Sequence, residues 1–302
     1  MVAIVDQPEL QLVRSLMRSG VRDVIGTPLR ASEVASILFD VAASLKIEKA
    51  NLAPVVGLAS PTGGAGATTL ITHLAAAWTR NAPGKTCCIV DLDIQYGDVA
   101  NYFGISPKSS IIDLLEAGDR LDSVMIRNTA TASGRGPSVL AAPAELGPLE
   151  VVAIAGLQRL LQLCRSEYDL VLLDLPSSWT NWVMSTIVDC SLVLLLTEPS
   201  LHSIRRTRRC LDLLDEVGVP TNQTGLVVNN VQRRFLRQID VSDVEATLQR
   251  PIVGTIPRDS ETLSKAQDQG LLLDEVARKT PFSAAIDDLA IRLQERIAVL
   301  SA

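Results

Sequence analysis

Val55-Val56-Gly57-Leu58-Ala59-Ser60-Pro61-Thr62-Gly63-Gly64-Ala65-Gly66-Ala67-Thr68-Thr69-Leu70 decides the fold of this chain. An apolar run from Pro54 to Ala59 leads into a glycine-rich turn. Ile71-Thr72-His73-Leu74-Ala75-Ala76-Ala77-Trp78 follows, with apolar residues at helical spacing. Strand, glycine turn and helix in that order make a phosphate cradle. Glycines accept positive φ, so successive backbone N–H groups converge on an anion at the helix N-terminus. Thr68 or Thr69 then stands where a hydroxyl reaches a phosphate-bound Mg²⁺. A working loop of this type ends in Gly-Lys-[Ser/Thr], but the lysine position here is Ala67. The shape is kept and the charge is lost.

Further along, apolar strands end repeatedly in polar residues. Lys85 to Val90 reads as a buried strand leading into Asp91-Leu92-Asp93-Ile94-Gln95-Tyr96-Gly97-Asp98. Four aliphatics, Leu170 to Leu173, end in Asp174-Leu175-Pro176, a Walker B pattern. Leu192–Leu196 is another apolar strand. Gly225–Val228 ends in Asn229-Asn230, and Pro251–Ile256 ends in Pro257-Arg258-Asp259. Aspartates at the C-terminal ends of parallel strands lie where such sheets keep their chemistry. Between the strands come a turn at Asn81–Gly84, a helix-rich stretch Ser110–Arg127, a polar loop Thr129–Pro137, a strand Ser138–Ala142 and a helix Leu149–Arg165. A helix with Arg205, Arg206, Arg208 and Arg209 and a final helix Pro281–Leu300 complete the series. Strands alternating with helices predict an α/β fold with a doubly wound, mainly parallel sheet over residues 51–302.

Residues 1–50 read as strand Val2–Val5, helix Glu9–Met17, Gly20 as a C-cap, strand Asp23–Ile25 and helix Ala31–Leu45. A βαβα fragment of this size cannot bury both faces of two strands alone. Arg18 to Leu29 resembles the second half of a response-regulator receiver domain, with Thr27-Pro28 where that family has Lys-Pro. The strand that would carry the phospho-accepting aspartate is missing, so the resemblance implies packing or dimerisation, not phosphotransfer. A cap on the main sheet is the alternative.

Composition fits the same class. The chain has 302 residues, 47% of them hydrophobic and only 3% aromatic, as expected of a parallel-sheet core built from Val, Leu, Ile and Ala. The mean hydropathy is +0.25. A net charge of −6 and a pI near 5.1 argue against a protein that coats nucleic acid, although a local basic face is compatible with them. Cys87, Cys88, Cys164, Cys190 and Cys210 show no metal spacing and read as small core residues in a reducing compartment. No apolar run approaches the ~18 residues of a spanning helix, and no leader pattern is present. A cytoplasmic location is expected, with recruitment to a cell pole or the inner membrane by partners.

Gly63 to Thr69, Asp91 to Gln95, Asp174-Leu175-Pro176, Asn229 and Ile256 to Asp259 together resemble the deviant-Walker MinD/ParA ATPases, from about residue 52 to the C-terminus. The Gly66-Ala67-Thr68-Thr69 ending, Gln95-Tyr96-Gly97-Asp98-Val99-Ala100 and the receiver-like start look most like the CpaE/TadZ branch, which helps assemble tight-adherence (Flp, type IVc) pili. The resemblance implies binding of ATP or ADP with Mg²⁺ and a sandwich homodimer. Gly63, Gly64, Ala65, Gly66, Ala67, Thr68 and Thr69 would hold the phosphates, and Thr68 would ligate the metal. Asp93 would orient the attacking water, with Asp174 in the metal's outer sphere. Asn229 would hydrogen-bond adenine, and Pro257 and Asp259 would line the base pocket. Two departures matter: the dimer-crossing lysine position is Thr62, and the loop lysine is Ala67. Each lost charge-assisted contact costs roughly 1.5–3 kcal/mol. Weak binding and weak or absent hydrolysis are therefore expected.

Other readings compete. Gly64-Ala65-Gly66 mimics a dinucleotide fingerprint, but Thr69 stands at its third glycine. An active partition or division-site ATPase would use Arg205–Arg209, with Arg233, Arg234 and Arg237, on DNA. Few aromatics interleave these arginines, so no strong nucleic-acid binding is expected. A nucleotide-free scaffold is the third reading. His73 and His202 lack ligand partners in sequence and read as packing or surface residues. The last helix, with Phe282, Ile286, Leu289, Leu293, Ile297 and Leu300 against Asp287, Asp288 and Glu295, reads as a core helix and not a membrane anchor.

Overall fold

Pairing of short apolar runs builds two separate units, Met1–Leu52 and Ala53–Ala302. The computed structural model describes residues 2–6, 23–27, 52–232 and 239–301. In the first unit β1 (Val2–Val5) pairs in parallel with β2 (Asp23–Gly26), Val2 opposite Asp23 and Val5 opposite Gly26. The Thr27 N–H donates to the Val5 carbonyl at 3.1 Å. Parallel strands need a crossover connection. The helices expected at Glu9–Met17 and Ala31–Leu45, and the Gly20 cap, lie outside the described residues, as do Arg233, Arg234 and Arg237.

The second unit runs β3 (Val55–Ala59), α1 (Ala67–Asn81), β4 (Cys87–Asp91), α2 (Val99–Tyr102), α3 (Ile111–Glu116), α4 (Ser123–Thr129), β5 (Thr131–Ala132) and β6 (Ser138–Leu140). Next come α5 (Ile154–Glu167), β7 (Leu170–Asp174), α6 (Asn181–Asp189), β8 (Leu192–Thr197) and α7 (Leu201–Glu216). The remainder is β9 (Thr224–Val231), α8 (Val241–Leu248), β10 (Ile252–Pro257), α9 (Ser260–Gln267), α10 (Leu273–Val276) and α11 (Pro281–Ser301). The strands form one eight-stranded sheet in the order β10-β9-β8-β3-β7-β4-β6-β5, parallel except for β5.

Side chains alternate across that sheet. Val55 and Ala59 of β3 join the core under α3–α8, whereas Val56 and Leu58 join the core under α1 and α11. Both faces are covered, which is why the strands read as continuous aliphatic runs. The chain leaves the centre in opposite directions, from β3 to β4 on one side and from β7 to β8 on the other. A crevice therefore opens at the C-terminal ends of β3 and β7, where doubly wound sheets bind ligands.

The structure shifts several expected boundaries. α5 starts at Ile154, not Leu149: Leu149–Val151 forms a 3₁₀ turn, and Val152 is buried in extended backbone. β6 stops at Leu140 because the Ala141 carbonyl accepts the Ile111 N–H at the start of α3 (2.9 Å). The polar stretch Thr129–Pro137 contains β5, which pairs antiparallel to β6. Helices α6 and α8 had no expectation. In α11, Phe282, Ile286, Leu289 and Leu293 are buried against α1, with Ile297 and Leu300 packed beside them.

His73 proves to be a tie between α1 and the segment before α11. It is 6% exposed. Its Nε2 accepts the Leu273 N–H at 3.0 Å, so the ring is neutral and Nδ1 donates to the Thr69 carbonyl at 2.7 Å. Phe282 meets the ring edge-on at 5.2 Å. Burial lowers its pKa from 6.5, against the Thr69 carbonyl and the nearby Asp274 and Glu275, which raise it. Arg80 and Arg135 line the same small cavity. A depressed imidazole pKa adds stability that is complete above 6.5 and is lost as pH falls through the folded value. The stability that His73 contributes, read as the difference in thermal midpoint between wild type and His73→Leu, should therefore be largest above pH 6.5 and shrink as the pH drops below it. A difference that does not change with pH would assign the dependence to other groups, among them the raised carboxyls of Asp91 and Asp174.

Candidate nucleotide-binding site

Three strand ends meet at the crevice. The loop 60–66 follows β3, Leu92 to Asp98 follows β4 and Leu175 to Thr180 follows β7. The glycine loop enters α1 through Gly66, whose left-handed backbone (φ 89°, ψ 31°) caps the helix without a side chain. Gly64 is also left-handed, at φ 76°. Helix α1 begins at Ala67, so Ala67, Thr68 and Thr69 are its first turn and not the end of a loop. Their N–H groups are the unpaired donors of a helix start.

Asp91 and Asp174 are register partners at the ends of β4 and β7, 1% and 2% exposed respectively. Thr68 Oγ1 donates to Asp174 Oδ2 at 2.8 Å. Burial pushes the Asp174 carboxyl up to about 7; the Thr68 hydroxyl pulls it down and the Asp93 charge pushes it further up. Burial, and then the neighbouring Asp174, also hold Asp91 well above the usual carboxylate range. Sequence reasoning gave Asp91 no task. The structure makes it the bracket of the following loop: Oδ1 accepts the Asp93 N–H and Oδ2 the Val99 N–H, both at 3.2 Å. Only glycine fits at 97, where a Cβ would lie 2.5 Å from Asp91 Oδ1 and 2.4 Å from the Ala142 Cβ. Asp93 is half-buried, and its Oδ1 accepts the Tyr96 N–H at 3.1 Å.

On the other side of the loop, a pocket of about 510 Å³ is lined by Gly64, Ala65, Gly66, Thr69, Asn229 and Pro257, among others. Asn229 buttresses the loop: its Nδ2 donates to the Ala65 carbonyl at 2.7 Å. Asn230, left-handed at φ 56°, donates to Glu198, and both line the same wall. Asp259 does not line it; its carboxylate caps α9 through the Thr262 N–H at 3.4 Å. Thr68, Asp93 and Asp174 also lie outside the pocket lining and face the β4–β7 side of the loop. Arg258, inside the Ile256–Asp259 motif, lines the pocket, and Glu198, Pro199, Ser200 and Gln232 line it without having been singled out in the sequence. The Asn229-Asn230 doublet at a strand end was the available signal.

The donor set fits a phosphate chain with a divalent cation. Two left-handed glycines and a helix start supply N–H groups, Thr68 supplies a hydroxyl and buried carboxylates stand behind it. A divalent cation there would offset the charge of the phosphates and of Asp174. Thr62 and Ala67 leave the loop itself without a cation. Thr62 is 9% exposed, and its Oγ1 has no hydrogen-bond partner among the described residues. A buried hydroxyl left so costs about 1–3 kcal/mol.

Backbone conformation separates the glycines. At Gly66 a Cβ would sit 3.0 Å from Asn229 Nδ2 in left-handed backbone; at Gly63 φ is not positive, and the nearest atom is Ser177 Oγ at 3.9 Å. Gly66→Ala should destabilise the chain by about 1–2 kcal/mol in urea unfolding, and Gly63→Ala by less than about 0.5 kcal/mol. Equal costs would place the strain elsewhere.

Comparison with known proteins gives the same fold. Residues 56–273 match the family described as the CobQ/CobB/MinD/ParA nucleotide binding domain. A putative septum site-determining protein MinD of Guillardia theta is 25% identical over 214 residues, 69% of this chain and 76% of that protein. The septum site-determining protein MinD of Bacillus subtilis is 22% identical over 218 residues, 70% and 79% of the two chains. Among solved structures, a ParA family ATPase from Chlorobium tepidum superposes with a TM-score of 0.73 at 24% identity, covering 80% of this chain and 99% of that one. Pyrococcus horikoshii MinD complexed with Mg-ADP gives a TM-score of 0.70 at 18% identity, covering 83% and 99%. With the family match spanning most of the sheet and its helices, the chain belongs to the CobQ/CobB/MinD/ParA nucleotide-binding family.

Proposed function

We propose that this chain binds an adenine nucleotide with Mg²⁺ at the glycine loop and acts as a positioning or assembly protein that turns ATP over slowly or not at all. One observation carries the reading. The cradle is intact, with Gly64, Gly66 and the Thr68–Asp174 pair in place, while both lysine positions are Thr62 and Ala67. Phosphoryl transfer relies on electrostatic stabilisation, so missing cations cost rate more than affinity. In this reading Thr68 ligates the metal with Asp174 behind it, Asp93 faces the attacking water, and Asn229 and Pro257 flank the base, with Asp259 holding α9 beside them. The solved relatives include a MinD with Mg-ADP and a MinC:MinD complex from Aquifex aeolicus, which supports nucleotide binding and protein partners for this chain.

The finer assignment, a homodimer serving a tight-adherence pilus or related secretion system, rests on the loop ending and on Gln95 to Ala100. A receiver-like role for residues 1–50 in packing belongs to the same reading. No described helix is long and apolar enough to cross a membrane. A second reading, a MinD- or ParA-type ATPase with real turnover, is favoured by the retention of Thr68, Asp93 and Asp174 together.

Calorimetry with ATP and Mg²⁺ should detect binding that Thr68→Ala and Asn229→Ala each weaken. Ala67→Lys should tighten it by about one to two decades. No heat at millimolar nucleotide would leave the scaffold reading.

Turnover tests the rest. Wild-type hydrolysis should lie at background, and Thr62→Lys with Ala67→Lys should recover more than Ala67→Lys alone. Robust hydrolysis by the unmodified chain, abolished by Asp93→Ala, would favour the second reading instead.

A further inference from the structure

Helix α7 carries Arg205, Arg206, Arg208 and Arg209 on its first turns, directly after the pocket-lining Glu198, Pro199 and Ser200. Their environments differ. Arg208 donates to the Thr247 carbonyl and is committed to α8. Arg205, Arg206 and Arg209 are all exposed around a surface hollow with Leu201 and His202. Arg206 alone reaches the glycine loop, with Nη1 3.4 Å from the Pro61 carbonyl. Among the described residues none of Arg205, Arg206 and Arg209 forms an ion pair with an acid.

We propose that Arg206 supplies, from outside the loop and within the same chain, the phosphate-binding cation that Thr62 and Ala67 do not. This rests on the chain binding a nucleotide at the glycine loop. The contact to Pro61 is long, and its acceptor is neutral, so it holds the guanidinium beside the loop without spending its charge. Against that single neutral acceptor, a phosphate offers two anionic oxygens matched to the planar guanidinium fork and a full opposite charge, so a phosphate outcompetes the carbonyl. Pro61 is two residues before Gly63, whose Cα is therefore no more than about 7.6 Å from that of Pro61. The same turn holds Thr62, whose buried hydroxyl has no partner among the described residues. Arg206 thus stands at the start of the loop, away from the wall of Asn229 and Pro257. A nucleotide with its base against that wall presents its last phosphate, not its first, to Arg206. Arg258 lines the pocket on the opposite wall, with Nε 3.4 Å from Ser260 Oγ, so its charge falls near the base and ribose.

The test is equilibrium binding of MgATP and MgADP to wild type, Arg206→Ala, Arg206→Lys, Arg209→Ala and Arg258→Ala, with a thermal melt of each to show it folded. Arg206 is exposed, so its replacement leaves the core untouched. Arg206→Ala should lose about 10- to 100-fold in MgATP affinity and less than about threefold for MgADP. Arg206→Lys should recover part of that loss, and Arg209→Ala should match wild type. Wild type binding neither nucleotide would overturn the nucleotide reading and this inference with it. Wild type binding both while Arg206→Ala is unchanged, or loses ATP and ADP equally, would overturn this inference alone. So would an ATP-selective loss in Arg258→Ala that is absent from Arg206→Ala.

Discussion

Two carboxyl groups set side by side and sealed from water are the constraint on which this site is built. Asp91 and Asp174 end adjacent strands at the same level; burial raises the pKa of both, Asp174 raises that of Asp91 further, and the Asp93 charge adds to each. Such a pair is unfavourable unless each member is bonded. Asp91 meets the requirement by accepting two N–H groups from the loop that carries Asp93, which fixes that loop. Asp174 meets it through Thr68, which fixes the first turn of α1 against β7. The cradle, the loop after β4 and the end of β7 are thereby one hydrogen-bonded assembly. Its unspent capacity is for positive charge.

Much of this could be read from the residues. Aliphatic runs bounded by glycine, proline or aspartate marked every strand of the main sheet except β5, because strands buried on both faces tolerate little else. The phosphate loop, Asp93, Asp174 and Asn229 stood out because each follows such a run. What could not be read depends on distant parts of the chain. The N-terminus of α1 is set by Gly66, whose conformation is fixed partly by Asn229 from β9. The end of β6 is decided by a carbonyl that α3 takes. Asp91 reads like any aspartate after a strand, and only the register with Asp174 shows it to be a bracket. Arg206 looked like one of four arginines on a solvated helix face, since nothing local ties it to Pro61. His73 gave no signal because its two partners are a residue one turn back and another two hundred positions on.

Replacing both lysines changes what a glycine loop can do more than whether it can bind. Backbone N–H groups are fixed dipoles and attract phosphates whether or not chemistry follows. Net positive charge is what meets the charge developing on a transferring phosphoryl group. With Thr62 and Ala67 in place, the loop keeps the first property and gives up the second.

The edges of the main sheet bear on how copies of this chain can meet. At one margin lies β5, only two residues long and antiparallel to its neighbour. At the other lies β10, whose pairing with β9 slips twice, and whose last residue is a proline. A growing sheet needs a long, flat, regular row of free donors and acceptors at its border. Neither margin offers one. Within this sheet, neither border is therefore shaped to take on another strand, so the surfaces the main sheet leaves for contact are its loop-bearing rim and its helical coats.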